Sequence, residues 1–220
     1  MSKIRLMPCL RPLLVPLFAL VPLAALAAPA RYVLDPVHTR VLFAIDHAGF
    51  SKALGTVSGS TGTLVFDPED WRDARVEVNV PIAHADLGDP KWNHATLARN
   101  LLDSDHFPEA RFVSTQVEPQ GPDRARVIGL LTLRGVTREV VLEVTFNALK
   151  RRPLPPFRRT AGFSATATIK RSDFGIDAWK SVIGDTVQLR IEVEAERRGQ
   201  SDAPTDTATD ATSPPPEARP

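Results

Sequence analysis

A closed eight-stranded antiparallel β-barrel with one short helical segment is the mainly β fold that three features of the sequence predict. Apolar residues recur with period two in eight separate stretches, the pattern of strands with one face buried. Turn chemistry fills the gaps where parallel strands would need helical crossovers. A single stretch has helical spacing, and one helix on an eight-stranded sheet suggests a closed barrel with a plug or lid.

The elements follow in order. Val41, Phe43 and Ile45 share one face of the first strand, and Leu64 and Phe66 share one face of the second, after a glycine-rich approach through Gly55, Gly59 and Gly62. Val76, Val78 and Val80 form the third, and Phe112 with Ser114 the fourth. Val127, Gly129, Leu131 and Leu133 give the fifth, and Val140, Leu142, Val144 and Phe146 the sixth. Phe163, Ala165, Ala167 and Ile169 give the seventh, and Val187, Leu189, Ile191 and Val193 the last. Tight turns are expected at Asp67-Pro68-Glu69-Asp70, Gln120-Gly121-Pro122-Asp123 and Arg134-Gly135. Between Asp89 and Phe107 the residues Leu97, Leu101 and Leu102 fall at helical spacing, and Pro108 stops the run. Two longer loops, the basic, proline-rich Lys150 to Arg159 and the apolar Arg171 to Gly184, either fold over a core end or line an opening.

Of 220 residues, 43% are hydrophobic and 24% charged, values of a globular protein, but the ends differ from the middle. Residues 1–27 carry Lys3, Arg5 and Arg11, then an apolar run ending in Ala25, Leu26 and Ala27, the three-part pattern of a cleaved export signal. Residues 199–220 are acidic and rich in Pro, Thr and Ala, and are expected to be disordered. The barrel is therefore expected over residues 28–198, with 23 basic against 22 acidic side chains. That near balance argues against a nucleic-acid surface. Met1, Met7 and Cys9 all precede Ala27, so the mature chain has no disulfide, thiol nucleophile or cysteine-held zinc.

A search for catalytic or metal-binding chemistry finds none. His38, His47, His84, His94 and His106 contain no pair four apart, and the best local pair is His84 with Asp86. Asp173-Phe174-Gly175 lacks the rest of a kinase, Gly59 to Thr63 lacks a phosphate-loop lysine, and no nucleophile elbow occurs. Asp103 and Asp105 adjoin the helical segment, where capping explains them. What remains is shape: a barrel of eight strands is either filled by side chains or holds one small ligand. Its modest inward residues leave room for a slender apolar molecule, although the same alternation is needed merely to fold.

The chain resembles the YceI-like family of exported bacterial proteins. The resemblance rests on Tyr32, Asp35, His38-Thr39, Phe43, His47, Gly55, Gly62 and Asp67, on Phe107-Pro108 followed by Phe112 and Ser114, and on Gly162-Phe163. Its most specific runs are G-x-L-T-L-x-G-V-T from Gly129 to Thr137 and R-S-D-F-G-I from Arg171 to Ile176. It departs from the pattern in the helical segment, at Trp92 to Leu97, in the loop around Phe157 and in the tail.

The resemblance implies an extended, lipocalin-like barrel, periplasmic and without a catalytic set, whose tunnel holds a long isoprenoid or other lipid-like amphiphile. No cofactor is expected besides that isoprenoid, quinone or fatty amphiphile as ligand. The expected wall is Phe43, Ile45, Phe66, Val78, Val80, Phe112, Leu131, Leu133, Phe146, Phe163 and Ile169, with Leu101, Phe174, Ile176 and Trp179 as lid or mouth. His38, His47, Arg171 and Lys180 are the candidates to meet a polar head group. Two other readings stay open: an accessory that hands quinone-like molecules to a membrane redox or stress-response partner through transient membrane contact, and an enzyme with His38 or His47 as acid or base. The last is disfavoured because residues nine apart on one strand face opposite ways. Monomer and homodimer are both compatible with the sequence.

Overall fold

The computed structural model describes residues 29–198, so the expected export signal and tail lie outside the described residues. The strands are β1 (Ala30–Leu34), β2 (Arg40–His47), β3 (Ser51–Ser58), β4 (Thr61–Asp67), β5 (Asp70–Pro81), β6 (Ala85–Asp86), β7 (Glu109–Pro119), β8 (Arg124–Leu133), β9 (Val136–Arg151), β10 (Arg159–Lys170) and β11 (Ile183–Arg197). One helix, α1 (Pro90–Leu97), and two 3-10 turns, Ile82–His84 and Arg171–Phe174, complete the described chain.

Every pairing is antiparallel, and eight strands close a ring in the order β1-β4-β5-β7-β8-β9-β10-β11 and back to β1. The remaining three, β2, β3 and β6, extend one side of it. The register explains this. β11 pairs with β1 through Ala195 to Arg197 and with β2 through Ile183 to Glu192, so β1 and β2 are two halves of one lane, broken at 35–39. β3 and β4 divide the neighbouring lane in the same way, broken at Gly59-Ser60. The eight alternating stretches of the sequence are thus the eight lanes of the barrel, and the strands they omit are β1, β3 and β6.

The first break is held by a polar network. Asp35 accepts from the backbone N–H of Val37 (2.9 Å), meets Nδ1 of His38 (2.8 Å) and is bridged by Arg152. The same guanidinium bonds Glu194 (2.7 Å) and Glu196 (3.1 Å) on β11. Burial alone would raise the Asp35 pKa, but the hydrogen bonds from Arg152, His38 and the Val37 amide outweigh it and hold the carboxyl well below the usual carboxylate range. At the second break Gly59 has φ +79°, the left-handed region that favours glycine, and its N–H reaches Pro36 O (3.3 Å). A side chain there would also collide with His84, 2.7 Å from the Cβ position.

Because neighbouring strands run in opposite directions, the turns 68–69, 120–123 and 152–158 lie at one end of the barrel. That end is closed by aromatic packing: the Phe66 ring centroid lies 5.2 Å from Trp71, 5.3 Å from Phe146 and 5.1 Å from Phe163, with Tyr32 at 6.5 Å. At the other end are the β2–β3 hairpin, α1, the β8–β9 turn and the loop before β11. α1 is shorter than the helical stretch expected from the sequence, so that Leu101 and Leu102 fall in the turns that follow it. Asp89 caps it, accepting from the N–H groups of Lys91 (2.9 Å) and Trp92 (3.1 Å), and Pro90 takes the first helical position.

The network at the first break makes a testable prediction. Arg152→Ala should lower stability by about 2 kcal/mol at neutral pH, because it strands partly buried carboxylates. Asp35 has a depressed folded pKa, so its contribution is complete above its unfolded value, about 4, and is lost as pH falls through the folded one. The gap between wild type and variant in urea unfolding should therefore narrow progressively below about pH 4. A gap that is constant with pH would contradict the role given to this ion-pair network.

Candidate functional site

Inside the ring the inward faces leave a cavity of about 480 Å³, whose lining spans the barrel from Leu34, Phe66 and Trp71 near the closed end to His47, Trp92 and Trp179 at the other. The first three are buried, whereas Trp179 is 54% and Trp92 43% exposed, so the mouth lies at the α1 end. The volume is within the range of small-molecule sites.

Two cross-strand contacts keep this space open. Phe43 lies against Gly55 on the paired strand, and Phe112 against Gly129. A Cβ at Gly55 would sit 2.2 Å from the tip of the Phe43 ring, and one at Gly129 would sit 2.4 Å from that of Phe112. Each glycine lets a large ring lie flat along the wall.

Most of the expected wall residues face this space: Phe43 and Ile45 from β2, Phe66 from β4, Val78 and Val80 from β5, Phe112 from β7, Leu131 and Leu133 from β8, Phe163 and Ile169 from β10. Phe146 does not. It is inward by parity but sits at the closed end, stacked on Phe66, on Phe163 (5.4 Å) and on Trp71 (5.8 Å), where it plugs the barrel. Of the lid residues, Leu101, Ile176 and Trp179 face the cavity. Phe174 does not line it; it is fully buried in a cluster with Leu101, Val140 and Ile176.

The head-group candidates separate further. His47 is at the mouth, its ring 5.3 Å from that of Trp92. His38 is not on the cavity; it belongs to the Asp35 and Arg152 network. Arg171 reaches the lining, but its guanidinium donates to three carbonyls, Ile176 O (2.7 Å), Gly184 O (2.8 Å) and Ile183 O (2.9 Å), so it clamps the loop and has little left for a ligand. Lys180 is off the cavity and paired with Asp177 (2.7 Å). His38 and His47 therefore do not converge on one substrate position. Asp35, His38 and Glu194 bring potential ligand atoms within 4.8 Å, but Arg152 already supplies the positive charge between them.

The mouth also includes residues that the sequence did not single out as lining. Trp92, Ala95 and Thr96 of α1 join Leu87, Leu102 and Val182 around it. Asn93 fastens the helix to β6, accepting from Leu87 N–H (2.7 Å) and donating to Asp86 (3.0 Å). Arg134, in the β8–β9 turn, ties the two covering segments by donating to Gly175 O (2.7 Å) and Arg99 O (2.9 Å). Deeper in, Thr39 and Ser60, at the two lane breaks, put buried hydroxyl-bearing residues on a mostly apolar wall.

Residues 32–195 match the YceI-like domain. A UPF0312 protein of Pseudomonas savastanoi pv. phaseolicola is 36% identical over 177 residues, covering 80% of this chain and 91% of the relative. One from Pseudomonas fluorescens is 38% identical over 172 residues, covering 75% and 86%. Among solved structures, Burkholderia cenocepacia BcnA superposes with TM-score 0.66 at 25% identity, covering 73% of this chain and 98% of that one. A Saccharophagus degradans domain described as polyisoprenoid-binding superposes with TM-score 0.59 at 14% identity, covering 77% and 99%, a likeness of fold.

The glycine and phenylalanine pairs supply a direct check. Gly55→Ala should force the Phe43 ring into the lumen and reduce uptake of an apolar fluorescent probe severalfold, at a stability cost of about 1–3 kcal/mol. Adding Phe43→Ala should restore uptake. Unchanged probe binding in folded Gly55→Ala would show that the ring does not border the occupied space.

Proposed function

The chain belongs to the YceI-like family, and on that premise we propose that it is a non-catalytic carrier of a long isoprenoid or similar lipid-like amphiphile in the cell envelope. The observation that carries this reading is the cavity: closed at one end by aromatic rings, open at the other, and walled almost wholly by aliphatic and aromatic side chains. Each methylene moved from water into such a space contributes about 0.8 kcal/mol. A chain of a dozen buried carbons therefore gains roughly 10 kcal/mol before ordering costs, enough for tight binding without any charged contact. The Saccharophagus degradans domain supports the isoprenoid class by its described ligand. The basic and apolar pattern of residues 1–27 supports a periplasmic location.

A second reading, delivery of quinone-like molecules to a membrane partner, is favoured by the rim. Phe50 at the β2–β3 tip is 92% exposed, and Trp179, Val182 and Trp92 stand beside the mouth, apolar groups placed where an amphiphile would leave. Docking of that rim on a bilayer would let the ligand pass without crossing water.

Both readings are tested by titrating delipidated protein with a polyprenol, a quinone and a fatty amide, then mixing loaded protein with acceptor vesicles. Uptake of at least one compound at one molecule per chain is expected. If none is taken up, the carrier reading fails. A transfer rate that rises with vesicle concentration supports delivery through contact; a rate independent of vesicles argues against it.

A further inference from the structure

Among the polar residues of the cavity wall, Ser60 stands out for being buried without a partner. It lies between β3 and β4, is 0% exposed, and its hydroxyl has no hydrogen-bond partner among the described residues. Thr39, beside the other lane break, is 1% exposed and has only a long bond, 3.4 Å, to Glu194 O. A buried hydroxyl without a partner is unfavourable, and an alanine would fill the same place without that penalty. Both residues line the barrel cavity.

We propose that Ser60 hydrogen-bonds a small neutral polar group of the amphiphile, a hydroxyl, carbonyl or primary amide, inside the barrel at the strand break. This rests on the carrier reading and deepens it by naming the head-group chemistry and its position. The electrostatics favour a neutral group. Three charged residues contribute to the cavity lining: Arg171, whose guanidinium is committed to three carbonyls; Arg75, which is exposed and bonds Ala74 O; and Asp46, also on an exposed position. A phosphate at Ser60 would therefore be buried without a cation, whereas an amide or alcohol needs only the hydrogen bond that Ser60 has to give. The head group is thus held within the barrel, and the chain fills the apolar space around it.

The test is displacement of an apolar fluorescent probe from delipidated protein by three compounds of equal chain length: octadecenamide, octadecene and octadecenyl phosphate. Wild type should bind the amide more tightly than the hydrocarbon and the phosphate. Ser60→Ala should lose about five- to tenfold for the amide and nothing for the hydrocarbon, and its unliganded form should melt at a higher temperature. An amide-to-hydrocarbon ratio unchanged in Ser60→Ala would overturn the anchor while leaving the carrier intact. Failure of all three compounds to displace the probe from wild type would overturn both.

Discussion

Closure of the sheet by β11 is the constraint on which the rest of the structure depends. This one strand changes partner along its length, pairing with β1 near the closed end and with β2 toward the mouth. The change requires β1 and β2 to share a lane and to part at 35–39, and β3 and β4 to part beside them. The ring thereby loses its free edges, and every inward side chain faces a common interior. Arg152 holds the junction together, with Asp35 from one side and Glu194 and Glu196 of β11 from the other.

Closure alone would permit a solid core, and the side chains decide where the core stops. At one end bulk is concentrated: Phe66, Trp71, Phe146 and Phe163 pack ring on ring and leave no passage. In the middle, Phe43 and Phe112 lie flat because glycine faces each of them. Ala53, Val57, Ala110 and Ala165 take little space beside them. The same residue type thus plugs the barrel where its neighbours are large and lines it where they are glycine. The lane breaks add two buried hydroxyl-bearing residues, Thr39 and Ser60, to this mostly apolar wall.

Alternation made the eight lanes legible, because period-two burial is a local property of the chain. β3 escaped that reading for a physical reason: its inward residues are Ala53, Gly55 and Val57, small because Phe43 on the paired strand supplies the bulk. β1 is five residues long and β6 two, too short to show a period. Parity placed Phe146 inward correctly but could not say that it lies in the plug. Arg171 and His38 looked available as charges in sequence; one is committed to three carbonyls and the other to an acid three residues before it, and neither commitment has a sequence signature beyond that spacing. Ser60 carries no pattern in the sequence at all, since its significance comes from the cavity beside it.

A barrel closed at one end, walled mostly by apolar side chains and open beside Trp92 and Trp179 is the geometry on which the proposed carrier function rests. The most direct test is native mass spectrometry of the protein recovered from cells that produce it. A population heavier than the polypeptide by one lipid-sized molecule is expected, which organic extraction removes and identifies as an amphiphile with a neutral head group. Protein that emerges at the bare polypeptide mass under conditions that preserve lipid complexes, and that yields no extractable lipid, would contradict it.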